Sequence, residues 1–234
     1  MGAAIRSQDP SGRVAMSTMP RIGKAGDGMR SAASARVVVF DLGGVLIDWN
    51  PRHLYRTLFD DEEAMEWFLA EVCSGVWNAE QDAGRPFEEG VAELAGRHPE
   101  FRPLIEAYWQ RWPEMISGPI EDSVALLEEL RGADCELHAL TNWSAETFAL
   151  TRPRFAFLEW FASILVSAEV GLIKPDPRIF ARLLERIGRR PSECVYVDDS
   201  RPNVVMAEHM GFDAICYRDP GQLRGALVER ELLA

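Results

Sequence analysis

The sequence predicts an α/β fold, a parallel sheet covered by helices on both faces, and three observations carry the prediction. From Arg36 onward, short apolar runs alternate with stretches of helical period, the pattern of βαβ units. The runs are apolar at nearly every position, as strands buried on both faces are, and do not alternate with polar residues. Cap chemistry stands where the alternation needs helices to start and stop.

The first strand is Val37–Phe40, and it finishes on Asp41 in the segment "VVVFDLGGVL". A block from Pro51 to Trp112 then reads as helical throughout, with Glu62–Val72, Phe87–Arg97 and Pro103–Trp112 as its helices. An insertion of this kind straight after the first strand implies a small α-helical cap over one end of the sheet. The block gathers Trp67, Trp77, Tyr108, Trp109 and Trp112. Aromatics in helices usually pack. Trp77, beside the polar stretch "NAEQDAGRP" read as a loop, is singled out as the substrate contact. Beyond the block, strands are expected at Glu136–Leu140, Ser163–Ser167, Cys194–Val197 and Asp213–Tyr217, with helices at Ile120–Arg131 and Arg178–Ile187 among them. In the last helix Ile179, Phe180, Leu183, Leu184 and Ile187 recur at helical spacing. Asp176 and Pro177 form its N-cap and first position, and Gly188 its stop. Ser144 and Ser200 are expected as further N-caps.

Composition narrows the function. The chain of 234 residues carries a formal net charge of −12, the opposite of the basic footprint of nucleic-acid binders. The twelve carboxylates between Asp60 and Glu100 face only Arg85 and Arg97, and read as a solvated helical face. No apolar run approaches the ~20 residues of a membrane-spanning helix. Cys73, Cys135, Cys194 and Cys216 show no CxxC pairing, so they read as thiols in a reducing, cytoplasmic setting. Residues 1–34, rich in Gly, Ser, Ala, Met and Arg, read as a disordered arm or a tag.

Ligands of open α/β sheets bind beyond the carboxyl ends of the strands. There the first strand delivers Asp41, the second Thr141 and Asn142, the segment after the third Lys174, and the fourth Asp198 and Asp199. Any one of these is ordinary turn or surface chemistry; four strand ends supplying them in this order are not. A carboxylate can attack phosphorus and form an aspartyl-phosphate. Mg²⁺ held by Asp41 and Asp199 would relieve the repulsion between that carboxylate and an anionic substrate. Lys174 would neutralise the transferring oxygens, with Thr141 and the main chain near Gly43 and Gly44 holding the rest.

The segments "VVVFDLGGVL", "ALTNWS", "GLIKPDPRIF" and "VYVDDSRPNV" together resemble the haloacid dehalogenase-like hydrolase superfamily. The similarity is to the branch with a small helical cap, which includes sugar-phosphate phosphatases and the N-terminal phosphatase domain of epoxide hydrolases. The resemblance implies a Rossmann-like three-layer sandwich, with 35–50 and 113–234 as its core and 51–112 as its cap. It implies Asp41 as nucleophile, Thr141 and Lys174 as the phosphate-binding pair, and Mg²⁺ held by Asp41, the Gly43 carbonyl and Asp199 with Asp198 beside it. Gly44, Asn142 and Trp77 are the expected substrate contacts, a small phosphate ester the expected partner, and the aromatic-rich cap a surface for a homodimer.

One position departs from the family. Most of its phosphatases carry a second Asp, the general acid, where this chain has Gly43. Three consequences stay open: a preference for leaving groups that need little protonation, a substitute acid with Asp48 as candidate, or binding with feeble turnover. Dehalogenation by Asp41 at carbon is the enzymatic alternative, against which the retained Asp198–Asp199 pair speaks. A receiver-type signalling domain would present its acidic pair first and its phospho-acceptor later, the reverse of this order.

Overall fold

The structure, a computed structural model, describes residues 37–234; the arm expected at 1–34 lies outside them. Strands β1 (Val37–Phe40), β4 (Glu136–Thr141), β5 (Ser163–Val166), β6 (Cys194–Asp198) and β7 (Asp213–Cys216) form one sheet, ordered β5-β4-β1-β6-β7. All four pairings are parallel. Residues of β1 alternate between two cores. Val38 and Phe40 meet Leu126, Leu127 and Leu130 of α6 (Glu121–Gly132) and Leu223 and Leu227 of α11 (Pro220–Glu229). Val37 and Val39 meet Ile179, Phe180 and Leu183 of α9 (Pro177–Ile187) and Ala207 of α10 (Arg201–Met210). That is the expected three-layer arrangement, and it explains why the strand is apolar at every position.

Register sets the site. Phe40 lies opposite Ala139 and Val197, so the residues that follow it on β1, β4 and β6 emerge at one edge. The Asp41 amide donates to the Val197 carbonyl at 2.8 Å, carrying the ladder one residue past the strand.

Two short elements were not expected. β2 (Ile47–Trp49) and β3 (Ile116–Pro119) pair antiparallel, with an irregularity between Asp48 and Trp49. They bracket the helical block at its two ends. Within the block run α1 (Pro51–Tyr55), α2 (Glu62–Glu71), α3 (Gly75–Asp82), α4 (Phe87–Arg97) and α5 (Arg102–Gln110). Helix α3 corrects the expectation of a loop: the first half of "NAEQDAGRP" is helical, with Ser74 accepting from the Trp77 amide as N-cap. The aromatics pack as a group, Phe87 stacking on Trp109 at 4.8 Å and Trp77 meeting Tyr108 edge-on at 5.0 Å. Two bonds tie the block to the sheet's helices. The Phe87 amide donates to Glu146 on α7 (Ala145–Thr151) at 2.9 Å, and the Ser167 hydroxyl, at the start of α8 (Ser167–Val170), donates to the Asp82 carbonyl at 2.5 Å.

Asp176 caps α9 through the Arg178 amide, and Gly188 ends it at φ 64°. Ser144 and Ser200 occupy N-cap positions in extended backbone, but neither side chain makes a capping bond. The Ser200 amide itself donates to Asp198. Cys73, Cys135 and Cys194 are buried and Cys216 half-buried, with no disulfide among the described residues. No described helix is long and apolar enough to cross a membrane.

Candidate active site

The turn after β1 is built by its main chain. Leu42 accepts from the Leu46 and Ile47 amides and Gly44 donates to Ile47, each at 2.9 Å. Gly44 has φ +75°, and a Cβ there would collide with the Asp199 carboxylate, so both backbone and space demand glycine. Gly43 is different. It lies outside the positive-φ region, and a Cβ built on it meets nothing within 4 Å.

Lys174 organises the carboxylates. Its ammonium, fully buried, donates to Leu140 O at 2.9 Å and reaches Asp41 Oδ2 at 2.9 Å and Asp198 Oδ2 at 2.7 Å. Burial alone would lower the lysine pKa, but Asp41 and Asp198 outweigh it and hold the ammonium charged. Its main chain is clamped by Asn142, which donates to Lys174 O at 3.0 Å and accepts from Lys174 N at 2.8 Å. Asn142, expected as a substrate contact, thus uses its amide to position the lysine while also lining the cleft.

Asp198 is saturated by protein. It accepts from Tyr196 Oη at 2.5 Å, the Ser200 amide at 2.8 Å and Asn203 Nδ2 at 3.0 Å besides Lys174. Its pKa falls although burial acts to raise it, because Lys174 and these donors stabilise the anion. Asp199 is pushed up, by burial and then by Asp198. Asp41 is pushed up to about 7: burial dominates, Lys174 opposes it, and Asp198 and Asp199 add repulsion. Three carboxylates thus face one ammonium, and each of the three offers an oxygen within 4.8 Å of the others. Such an all-oxygen set with surplus negative charge fits a hard divalent cation of the Mg²⁺ kind. Thr141 is buried at the end of β4, opposite Val166.

Beside this cluster a cleft is lined by Gly43, Trp49, Asn78, Asp82, Trp112, Asn142 and Trp143. Trp77 is absent from that lining. Its ring is packed among aromatics and its indole donates to Gly90 O at 3.3 Å, so the neighbouring Asn78 turns toward the cleft instead. Asp48 is also outside the cleft: on β2, half-exposed, it pairs with His53 at 3.1 Å. Sequence reasoning missed Trp49, Asn78, Asp82 and Trp143. The indole nitrogens of Trp49, Trp112 and Trp143 and the Asn78 carbonyl oxygen are buried without a partner. Buried polar groups are nearly always paired, so four unpartnered atoms on residues that line one cleft are candidates to meet a ligand's polar atoms.

A buried lysine and three clustered carboxylates thus stand at the strand ends of a sheet covered on both faces. The haloacid dehalogenase-like hydrolase profile matches residues 35–211, and the chain belongs to that family. Among known proteins it is similar to the sesquiterpene phosphatase astK of Aspergillus oryzae, 25% identical over 176 residues, which cover 75% of this chain and 86% of that protein. It is also similar to phosphoserine phosphatase of Thermus thermophilus, 31% identical over 116 residues, covering 50% of this chain but only 46% of that enzyme. In fold it matches the magnesium complex of a HAD family enzyme from Bacteroides thetaiotaomicron, with a TM-score of 0.64 at 20% identity over 80% of this chain and 94% of that one.

Proposed function

We propose that this hydrolase is a Mg²⁺-dependent phosphatase that cleaves a small phosphorylated metabolite through an aspartyl-phosphate on Asp41. The observation that carries the reading is the position of Asp41: at the end of β1, ion-paired with Lys174 at 2.9 Å and clustered with Asp198 and Asp199. The two similar proteins with phosphatase names support the same class of substrate.

Asp41, Asp199 and the Gly43 carbonyl would hold Mg²⁺, with Asp198 fixing Lys174 and the cluster from behind. When bound, the ion supplies positive charge that lets an anionic phosphate approach a carboxylate. Asp41 attacks phosphorus and the ester oxygen departs; water then cleaves the acyl phosphate and frees Asp41. Lys174, held by Leu140 O and Asn142, opposes protonation of Asp41 and holds it in place during attack. The Thr141 hydroxyl and the amides of the Gly43–Gly44 turn receive the transferring oxygens. Trp49, Trp112 and Trp143 donate to oxygen atoms of the leaving group, which favours a compact, oxygen-bearing alcohol over a hydrocarbon.

A phosphate-release screen with Mg²⁺, run beside Asp41→Asn, tests the reading. Turnover lost in the variant and in EDTA supports it. Chloride released from 2-chloropropionate, unaffected by EDTA, would establish carbon attack instead. No turnover of any phosphate ester above the Asp41→Asn control would leave a phosphate-binding protein.

A further inference from the structure

The family's usual general acid is missing at Gly43, yet a phosphatase acting on alkyl esters must protonate an alkoxide. A carboxyl that lines the same cleft is available. Of the twelve carboxylates between Asp60 and Glu100, Asp82 alone is buried. It sits at the C-terminal end of α3 and lines the cleft together with Gly43. We propose that Asp82 is the general acid of this enzyme, working from the helical block into the cleft that Gly43 also lines. The proposal rests on the phosphatase reading above.

Placement is the first argument. Asp82 is fastened to the strand ends: its carbonyl accepts from Ser167 Oγ at 2.5 Å, and the same hydroxyl accepts from the Trp143 amide at 2.9 Å. Gly84, two residues on, runs at φ +107° against the Ala168 carbonyl, where a Cβ would be crowded at 3.2 Å. The end of α3 is therefore docked on the segment that follows β5, which fixes Asp82 at the cleft it lines. Its carboxyl is oriented by Asn78, one turn earlier, which donates to Oδ2 at 3.0 Å.

The second argument is the company the carboxyl keeps. Groups facing it are Asn78 on its own helix, the Ser144 amide before α7, Tyr108 on α5 and, more distantly, Lys174. No cation pairs with it among the described residues, whereas Asp41 and Asp198 are ion-paired with Lys174. Burial accordingly pushes Asp82 up to about 7, with the Ser144 amide and Lys174 only partly opposing. A carboxylic acid that keeps its proton near neutrality suits a general acid.

The proton balance closes. Asp41 oxygen forms a bond to phosphorus while the phosphorus–ester oxygen bond breaks, its electron pair passing to the leaving oxygen. The Asp82 proton goes to that oxygen and the alcohol leaves. Asp82, now a carboxylate, takes a proton from the water that attacks the aspartyl-phosphate. Phosphate and free Asp41 are released, and Asp82 is again protonated.

The test compares full-length wild type, Asp82→Asn and Asp82→Glu with Mg²⁺, on p-nitrophenyl phosphate and on glycerol phosphate across pH. The nitrophenolate departs without a proton; glycerol does not. Asp82→Asn is expected to lower kcat on glycerol phosphate by about 10²–10⁴-fold and on p-nitrophenyl phosphate by less than about tenfold. The glycerol-phosphate profile of wild type should decline above neutral pH, that decline should vanish in Asp82→Asn, and Asp82→Glu should restore part of kcat. Equal losses on both substrates with a shared pH profile would show a structural role and overturn the proposal. So would an unchanged rate on glycerol phosphate, or a wild type that hydrolyses the aryl ester alone. Absence of phosphate release from both esters in wild type would instead remove the phosphatase reading beneath it.

Discussion

Gly43→Asp places a carboxyl at the position where most of the family's phosphatases carry their acid, and the structure says how well it would be tolerated. A Cβ at residue 43 meets no atom within 4 Å, and the backbone lies outside the positive-φ region. Replacing glycine at a compatible φ stabilises by about 0.4–1 kcal/mol through the unfolded chain. A fourth carboxylate near Asp41, Asp198 and Asp199 opposes that gain, more so without a cation. The net change in stability should stay within about 1 kcal/mol, or about 2–4 °C in Tm for a chain of this size. Activity should move much further. An aligned acid is worth about 10²–10⁴ in rate, about 2.7–5.4 kcal/mol of barrier at 1.36 kcal/mol per decade. In the Asp82→Asn background, where the cleft has lost its own acid, Gly43→Asp is expected to recover at least about tenfold of kcat on glycerol phosphate. On p-nitrophenyl phosphate it should change little. Steady-state kinetics of the four proteins, checked by thermal melts, measures both terms of the cycle. A double variant that melts within a few degrees of wild type, binds Mg²⁺ and still shows no gain on the alkyl ester would refute the expectation that a carboxyl at residue 43 can protonate the leaving oxygen.

Three further outcomes follow from particular residues. Asp82 stands at about 7 in the fold against 3.8 for the ordinary group, so the folded protein keeps a proton that the unfolded chain gives up. Its contribution to stability is complete below pH 3.8 and is lost as pH rises through about 7. Metal-free Asp82→Asn should therefore melt above wild type at pH 8, with the gap closing toward pH 4; a gap independent of pH would contradict this. Gly44→Ala forces an L residue into φ +75° and a methyl into Asp199, and should lower stability by at least about 1–2 kcal/mol while weakening the rise in Tm that Mg²⁺ produces. Gly43→Ala should do neither, and equal effects of the two would count against the turn as described. Trp77→Ala removes a buried ring that meets Phe87 and Tyr108, at a cost of about 3–5 kcal/mol in urea denaturation, with KM of the folded enzyme little changed; a large rise in KM at intact stability would restore Trp77 as a substrate contact.

The sheet was legible because burial on both faces writes itself into composition. Val37–Phe40 and Cys194–Val197 are apolar at nearly every position because alternate residues enter two different cores. The chemistry at the strand ends was legible for a related reason: Asp41, Thr141, Lys174, Asp198 and Asp199 are polar groups placed where an apolar run stops, and register brings such stops to one edge. Strands β2 and β3, three and four residues long, carry too few positions for any period to show. The block's cleft-facing residues were illegible for a deeper reason. Helix α3 turns Asn78, Gln81 and Asp82 inward and exposes Val76, inverting the rule by which polar residues at helical spacing mark the solvent side. A helix that buries its polar face must find partners for it, and here they are specific: Gln81 donates to Trp77 O and accepts from Arg85, while Asn78 donates to Asp82. What the sequence does contain is the contradiction itself, a short helix-length segment whose tryptophan must be buried although Asn, Gln and Asp share its side. Such a conflict between local pattern and burial is where a functional site is expected. It coincides with the one place in the first motif, Gly43, where a side chain usual in the family is missing, and Asp82 lines the same cleft as Gly43.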